Sequence, residues 1–385
     1  VTKPKVLFVT HSPAVSGAEY VLLTIAANWR GAGAFLFEDG PLRPALASRG
    51  IGVKVSRWGR GFNVVKRDGS LTKALPLLSR LIATVLEMAK AGRRSDIVYA
   101  NSQKAFTIAA IAKVLHRRPM IWHLHDILDP AHFGAGQVRM QVRLANRFAN
   151  RVIVPSRAAQ EGFVTQGGRL ELVQVVPNGI ECTARDPASR AELRVQLDLP
   201  DAPLVGVFSR LAPWKGQHDV LAAVSRLPAV HCLIVGSALF DEDAYEVRLR
   251  ALVDELCIGD RVHFLGQRSD VRKLMQAVDL VVHPSTAPEP FGLTLVEAMS
   301  VRTPVVATDI GASREIFADG ECGFLVPPSN PDALASTMAE ILRAGPGLER
   351  VTRQAAARFD ERYRAEHMHD AIDAVVEEIA HHAVA

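Results

Sequence analysis

Short apolar, β-branched runs alternate with longer helical patterns along the whole 385-residue chain, and no other feature restricts the fold as much. In the first half the runs are KVLFVTH (5–11), AFLFED, GVKVS, DIVYAN, MIWHLH, RVIVPS and LVQVVP. Helical patterns stand between them, as at Tyr20–Arg30, Gln103–Leu115 and Gln137–Asn150. The second half repeats the scheme with LVGVFSR, HCLIVGS, VHFLG, DLVVHPS, PVVATD and GFLVP. Runs that stay apolar from end to end read as strands buried on both faces, and the helices between them supply the crossovers of a parallel sheet. Two such series predict two doubly wound α/β domains. The Pro-Asn-Gly turn at 177–179 and the polar stretch ECTARDPASR place the boundary near 180. The expected domains are therefore 1–180 and 181–362, with a charged amphipathic helix at about 363–385 packing back on the first.

Charge divides along the same line. Residues 1–180 carry 25 Lys/Arg against 10 Asp/Glu, and residues 181–385 carry 20 against 31, so a net charge of +4 conceals halves of +15 and −11. Such a split points to two domains with different partners. With 48% hydrophobic and 22% charged residues, disordered, collagen-like and disulfide-scaffold classes are excluded. Cys182, Cys232, Cys257 and Cys322 form no Cys-x-x-Cys pair. They read as reduced, mostly buried thiols of a cytoplasmic protein, with no zinc site. The apolar run in VTKPKVLFVTHS is too short for a signal peptide and reads as the first strand. Leu71 to Ala91 is broken by Lys73, Arg80, Glu87 and Lys90, which makes it an amphipathic helix and not a membrane span. A cytoplasmic protein is expected, with peripheral contact at the cytoplasmic face of a membrane left open.

In open α/β sheets ligands bind at the carboxyl ends of the strands, and with two sheets the cleft between domains is the expected site. Gly-Ala-Gly at 31–33 and 134–136 lacks the third glycine of a dinucleotide fingerprint, and no Gly-Lys-Ser/Thr loop occurs. Hydride transfer and P-loop chemistry are thereby set aside. Asp241-Glu242-Asp243 could hold a metal–diphosphate or simply open a helix, where the macrodipole favours acidic residues. The second reading is preferred, because the chain offers a metal-free diphosphate site elsewhere. Arg210 and Lys215 follow the strand LVGVFSR, and two cations on a strand-end loop can neutralise a leaving diphosphate.

The densest constellation is HPSTAPEPFGLTLVEAM, residues 283–299. Glu289 is held extended between Pro288 and Pro290. Gly292 permits close approach of the backbone, and a helix starting near Leu293 or Thr294 would present N–H groups to an anion. Glu297 follows one turn inside. Thr294-Leu-Val-Glu297 also fits a capping box, so the residues alone leave open whether either glutamate is a site group.

Two glutamates eight apart around Pro-Phe-Gly resemble the paired-glutamate motif of glycosyltransferase family 4, retaining enzymes of the GT-B fold. The resemblance runs along nearly the whole chain. VSGAE (15–19) is similar to the family's Gly-Gly-Ala-Glu loop, with Ser16 replacing the first glycine. VPSRAAQEGF and VPNGIE resemble the end of the acceptor domain, FSRLAPWKGQ the phosphate motif, and VHFLGQRSDV the loop beside the base. VVATDIGASREIFADGECGFLVPP resembles the terminal signature, with Ala312 and Arg314 replacing the usual Gly and Pro.

This resemblance implies two Rossmann-like domains facing a central cleft. It implies transfer of a hexose from a nucleoside diphosphate sugar, a UDP-hexose in preference to GDP, to a glycan or lipid-linked acceptor in polysaccharide or glycolipid synthesis. No cofactor and no divalent metal are expected. Carried over to this sequence, Glu297 would bind the ribose hydroxyls and Glu289 would lie under the donor sugar. Backbone N–H groups of Phe291, Gly292 and Leu293 would hold the sugar or diphosphate, and Arg210 and Lys215 would stabilise the departing diphosphate. Gly17, with Ser16, would let the first loop approach phosphate and acceptor. His125 would contact the donor sugar near its anomeric centre or 6-hydroxyl, while His123 is placed on the opposite strand face as a core residue.

The basic half is the acceptor domain in such a fold. Arg139, Arg143, Arg147 and Arg151 are spaced four apart and form a helical stripe beside Met140, Leu144 and Phe148. It is either a solvated face or an attractor of an anionic membrane, at about 1 kcal/mol per basic residue, or of a phosphate-bearing acceptor. Nucleic acid is not expected as a partner, since aromatics are 6% and no recognition motif occurs. The competing functions are a GT-B sugar-nucleotide epimerase or sugar phosphorylase, and a non-catalytic membrane or partner-binding protein.

Overall fold

The computed structural model describes residues 3–29, 31–60, 74–182, 185–238, 242–344 and 347–384. The chain divides into two units, Val1–Gly179 with Ala365–Ala385, and Ile180–Arg364. Among the described residues thirteen strands build two sheets, one in each unit, and every pairing is parallel. Each apolar run of the sequence supplies one strand.

Unit 1 holds β1 (Val6–Thr10), β2 (Gly33–Leu36), β3 (Gly52–Val55), β4 (Ile97–Ala100), β5 (Met120–His123), β6 (Arg151–Val154) and β7 (Val173–Val175). Their order is β3-β2-β1-β4-β5-β6-β7. β1 and β4 are buried along their full length, because helices cover both faces of the sheet. On one face Phe106 of helix Gln103–His116 stacks on Trp122 of β5 at 4.4 Å and 7°. Phe163 meets the same indole edge-on at 6.2 Å.

Unit 2 holds β8 (Leu204–Phe208), β9 (His231–Val235), β10 (Val262–Gly266), β11 (Leu280–His283), β12 (Val305–Thr308) and β13 (Phe324–Val326), in the order β10-β9-β8-β11-β12-β13. In both sheets the chain starts at the centre, winds one way for two strands, and then returns to wind the other way. The reversal falls between β1 and β4 in unit 1 and between β8 and β11 in unit 2. At such a switch point the two crossovers leave in opposite directions and open a crevice at the carboxyl ends of the two central strands.

Several expectations need correction. The basic helix spans Ala135–Phe148, and Arg151 lies beyond it as the first residue of β6, where it pairs with Glu378. Its inward face is Val138, Gln141, Val142 and Ala145; Met140 is 46% exposed. Cys232 and Cys322 are buried but Cys182 and Cys257 are exposed. The amphipathic helix expected from Leu71 is described from Ala74 to Gly92, and Leu71 and Lys73 lie outside the described residues. The terminal helix expected at about 363–385 is present as Ala365–Val384, and a further helix, Gly347–Arg362, precedes it.

Helix Ala365–Val384 belongs to unit 1 and buries Met368, Ile372 and Val376 there. Its Asp373 receives hydrogen bonds from Lys3 (2.6 Å) and Asn28 (3.2 Å), and His369 Nε2 bonds to the Thr24 carbonyl at 2.9 Å. The segment 365–385 carries five acidic residues and no Lys or Arg, so the units net +10 and −6. Among the described residues no helix is long and apolar enough to cross a membrane.

Candidate functional site

In unit 2 the loops that follow β8 and β11 emerge side by side at the switch point. Gly216 has φ +69°, and a Cβ there would lie 2.0 Å from the Pro284 carbonyl oxygen. Only glycine lets the loop after β8 press this closely on the end of β11. Gln217 fixes the same loop by donating from Nε2 to Ser209 Oγ (2.8 Å) and to the Arg210 carbonyl (2.9 Å). Lys215 is thereby brought to Glu289, Nζ to Oε1 at 2.6 Å.

Two residues that the sequence reading passed over join them. Ser285 Oγ donates to the same Oε1, and His283 Nε2 lies 2.9 Å from it. His283 ends β11 and Ser285 follows two residues later, so the His-Pro-Ser at a strand end was the signal for both. Glu289 is only 6% exposed. Burial pushes its carboxyl up, but His283 and Lys215 outweigh burial and hold it well below the usual carboxylate range. The result is a buried, fixed negative charge at the switch point.

The neighbouring loop braces the backbone of Glu289. Ala312 N–H donates to the Glu289 carbonyl at 3.0 Å. Gly311, at φ +63°, has no room for a Cβ, which would sit 2.4 Å from that oxygen. Arg314 forks onto Asp309, with Nε at 3.0 Å from Oδ1. The two departures from the family signature thus have local roles, Ala312 through its backbone and Arg314 through its side chain.

Arg210 is part-exposed and pairs with Glu242 at 3.4 Å. The Trp214 ring takes both cations, Arg210 at 5.4 Å and Lys215 at 4.3 Å from its centroid. Glu242 precedes helix Asp243–Glu255 as its N-cap residue, and Asp241 lies outside the described residues. Among the described residues no group of three or more His, Cys, Asp or Glu is arranged to hold a metal ion.

Helix Leu293–Ser300 opens with Gly292 in the left-handed region (φ +96°) and with no side-chain cap. The alternative of a capping box does not hold, because the N-cap position is Gly292 and Thr294 lies inside the helix, where its Oγ1 donates to the Phe208 carbonyl at 2.9 Å. That bond ties the helix start to the end of β8 and leaves its first turn without a side-chain acceptor, the arrangement that suits an anion. Phe291 supplies backbone here while its ring is buried against Tyr363 at 5.8 Å. One turn on, burial pushes the Glu297 carboxyl up to about 7, with Arg272 opposing.

In unit 1, Asn101 follows β4 at the switch point and joins the predicted His125 to the residue after the predicted Gly17. Its Nδ2 donates to the Ala18 carbonyl (3.1 Å) and its Oδ1 lies 3.0 Å from His125 Nε2. The helix Gly17–Ala27 starts directly after Ser16, which does not cap it. Ser16 Oγ instead donates to buried Glu19 at 2.5 Å, and burial raises the Glu19 carboxyl.

His123 is not on the opposite face from His125. Positions two apart in a strand share a face, and the two rings lie 3.9 Å apart. Tyr99 Oη and His123 Nδ1 share a hydrogen bond of 2.8 Å behind them. Burial pushes His125 down to about 3 and His123 well below the usual histidine range, so both rings are neutral near pH 7. The adjacent Asp126 accepts from Gln103 Nε2 at 2.7 Å. Arg139, Arg143 and Arg147 are exposed on their helix. They lie on a different element from Gly17 and His125, and none is bonded to either.

Comparison with known proteins gives these features a context. Residues 189–358 match the model described as glycosyl transferases group 1, and residues 16–179 match the glycosyl transferase 4-like domain. HepE of Anabaena, solved in complex with UDP and glucose, is 37% identical over 97% of this chain and 99% of that one, with a TM-score of 0.87. The D-inositol 3-phosphate glycosyltransferase of Mycolicibacterium smegmatis is 35% identical over 216 residues, 55% of this chain. The chain spans about half the length of the curated relatives it matches. Sucrose-phosphate synthase from Thermosynechococcus elongatus shares the fold, with a TM-score of 0.78 at 22% identity.

Proposed function

Because the chain belongs to glycosyltransferase family 4, of the GT-B fold, we propose that it transfers a hexose from a nucleoside diphosphate sugar, with retention at the anomeric carbon. The observation that carries this reading is the buried Glu289 carboxylate, fixed by Lys215, His283 and Ser285 beside the uncapped start of helix Leu293–Ser300. A permanent carboxylate can accept hydrogen bonds from sugar hydroxyls, while the cations and helix N–H groups beside it hold the diphosphate. A UDP-hexose is the preferred donor, supported by the UDP complexes of HepE. The acceptor is proposed to be a phosphate-bearing or lipid-linked glycan, matched by the net positive charge of unit 1.

In the proposed step the bond from the anomeric carbon to the diphosphate oxygen breaks, and an acceptor hydroxyl oxygen bonds to the same face of that carbon. The hydroxyl proton passes to the departing phosphate. Arg210, Lys215 and the helix N–H groups take up the charge that develops on the diphosphate, with no divalent metal required. Neutral His125 positions the sugar by hydrogen bonding. Lys215 has two duties in this scheme, since it also balances Glu289.

The test is release of UDP from UDP-glucose with and without candidate acceptors, in the presence of EDTA. Acceptor-dependent release with an α-linked product supports the reading, as does a loss of at least a hundredfold in Arg210→Ala. Release that needs inorganic phosphate, or conversion of the donor with no acceptor consumed, would replace it with a phosphorylase or an epimerase.

A further inference from the structure

The amino ends of the unit 2 strands, the edge opposite Arg210 and Glu289, line a solvent-open cavity of about 910 Å³. Pro203 before β8, Asp279 before β11 and Pro304 before β12 line it, so it belongs to a different end of the sheet from the site described above. Its wall carries five arginines against three acidic residues.

Two of the five are committed to the fold. Arg194 is 8% exposed and donates to the Ala277 carbonyl (2.9 Å), the Ala202 carbonyl (3.0 Å) and Asp279 (2.7 Å). Arg190 takes the other oxygen of Asp279 at 2.9 Å. Asp279 also accepts from the Leu204 N–H at 2.8 Å, so this carboxylate is satisfied and offers nothing to the remaining cations. Those are Arg185, Arg302 and Arg353, all exposed and all without an ion pair among the described residues. Of the other two acidic residues, Asp201 is fully exposed 4.0 Å from Arg194, and Glu349 is exposed one turn before Arg353 without an ion pair to it among the described residues. Ile341, Leu342 and Leu348 supply an apolar side to the same cavity.

Arg302 occupies a position that glycine would fill more easily. It follows helix Leu293–Ser300 at φ +60°, with its N–H on the Met299 carbonyl and that of Thr303 on the Ala298 carbonyl. This is the helix-ending turn whose left-handed residue is usually Gly. The backbone therefore has no use for the side chain, which instead adds a guanidinium to the cavity.

We propose that this cavity binds a small molecule bearing phosphate groups, as a second anion site on unit 2 separate from Arg210 and Lys215. Three unmatched guanidiniums favour oxygens carrying two or more negative charges, since each can fork onto a phosphate. The volume falls within the range of small-molecule sites, and the aliphatic side accommodates a carbon skeleton.

Calorimetric titration of the full chain with glucose 6-phosphate and with pyrophosphate, at about physiological salt, tests this. Wild type is compared with Arg302→Gly/Arg353→Ala. Phosphate ligands reaching the Arg210 loop do so equally in both proteins, so the difference belongs to the cavity. The expected result is at least tenfold weaker binding in the variant, with a Tm no lower than wild type because glycine suits φ +60°. Weakening for glucose 6-phosphate alone identifies a phosphate ester as the ligand class. Weakening for pyrophosphate to the same degree identifies the free diphosphate. Should the double variant not fold, Arg353→Gln alone takes its place, since that side chain is exposed. Equal binding of both probes by wild type and variant, or no binding of either by wild type, would overturn the proposal.

Discussion

Glu289 shows how a single buried charge is made tolerable and useful. Lys215 and Glu289 are nearly buried together, and removing one partner of such a pair costs up to about 3–5 kcal/mol, held to the lower end here because His283 and Ser285 still face Glu289. Lys215→Met is expected to lower unfolding stability by that order, and Lys215→Met/Glu289→Gln to recover a large part of it in denaturant titrations. The pH dependence follows from two shifts of opposite sign. Glu289 is depressed in the fold, so its contribution is complete above the ordinary carboxylate range and is lost as pH falls below it. Glu297 is raised to about 7. Between its ordinary range near 4.5 and pH 7 the folded state binds the extra proton, so stability falls as pH rises through that window. Glu297→Gln should flatten that part of the profile. If Glu297 accepts from ribose hydroxyls, UDP affinity should rise with pH across 7 in wild type and not in the variant.

At the residue scale the positions of the candidate groups were legible and their partners were not. Arg210, Lys215 and Glu289 could be placed because strand ends and a Pro-Glu-Pro segment are local signals. That His283 and Ser285 converge on one oxygen of Glu289 depends on how the chain turns back after β11, which no spacing rule encodes. Thr294 misled for a similar reason. The Thr-x-x-Glu spacing is a genuine cap signature, but the helix already starts at Leu293 after Gly292, so Thr294 lies inside it and its hydroxyl donates to the Phe208 carbonyl on the neighbouring strand.

At the scale of elements, the strands were the most legible feature, because a run buried on both faces must be apolar throughout. The helices were less so where their ends are set by neighbours. Arg151 keeps the four-residue spacing of the basic stripe, yet the chain has already turned into β6, where pairing with β5 governs it. Helix Leu293–Ser300 and the loop carrying Gly216 set the geometry of the unit 2 site together. Gly216→Ala would force a left-handed alanine into a carbonyl 2.0 Å away. It is expected to cost more than the ~1–2 kcal/mol of a left-handed L-residue alone, and to weaken UDP binding at least tenfold through displacement of Lys215. Unit 1 carries two exposed stripes on separate helices, Arg139/Arg143/Arg147 and the apolar Leu78/Ile82/Leu86, each more than half exposed in the latter case. If unit 1 meets an anionic membrane, flotation with phosphatidylserine vesicles should be lost on Arg139→Glu/Arg143→Glu/Arg147→Glu and weakened by high salt. Flotation unchanged by the triple substitution would remove the basic stripe from that role.

For the whole molecule, the charge split survives in reduced form. The acidic helix Ala365–Val384 brings unit 1 to +10 and leaves unit 2 at −6. Unit 2 has a negative total and still presents cations at both ends of its sheet, at Arg210/Lys215 and at Arg302/Arg353. Bulk charge is therefore a poor guide to which ligand it takes. Local geometry decides, because a desolvated cation beside a helix start acts over a few ångströms while the dispersed surface acidity is screened within a Debye length.

Unit 2 is inserted within unit 1: the chain leaves unit 1 at Gly179 and rejoins it at Ala365. This gives synthesis a timetable. A ribosome adding about 5–20 residues per second needs roughly ten to forty seconds to make the intervening segment. Throughout that interval the β1–β7 sheet and its helices exist without the helix that buries Met368, Ile372 and Val376. Unit 1 therefore waits with an uncovered apolar groove while unit 2 is being made, a window in which a chaperone has something to hold. A released chain ending at Arg364 is expected to yield protease-resistant unit 2 and protease-sensitive unit 1, and the full chain to yield both resistant.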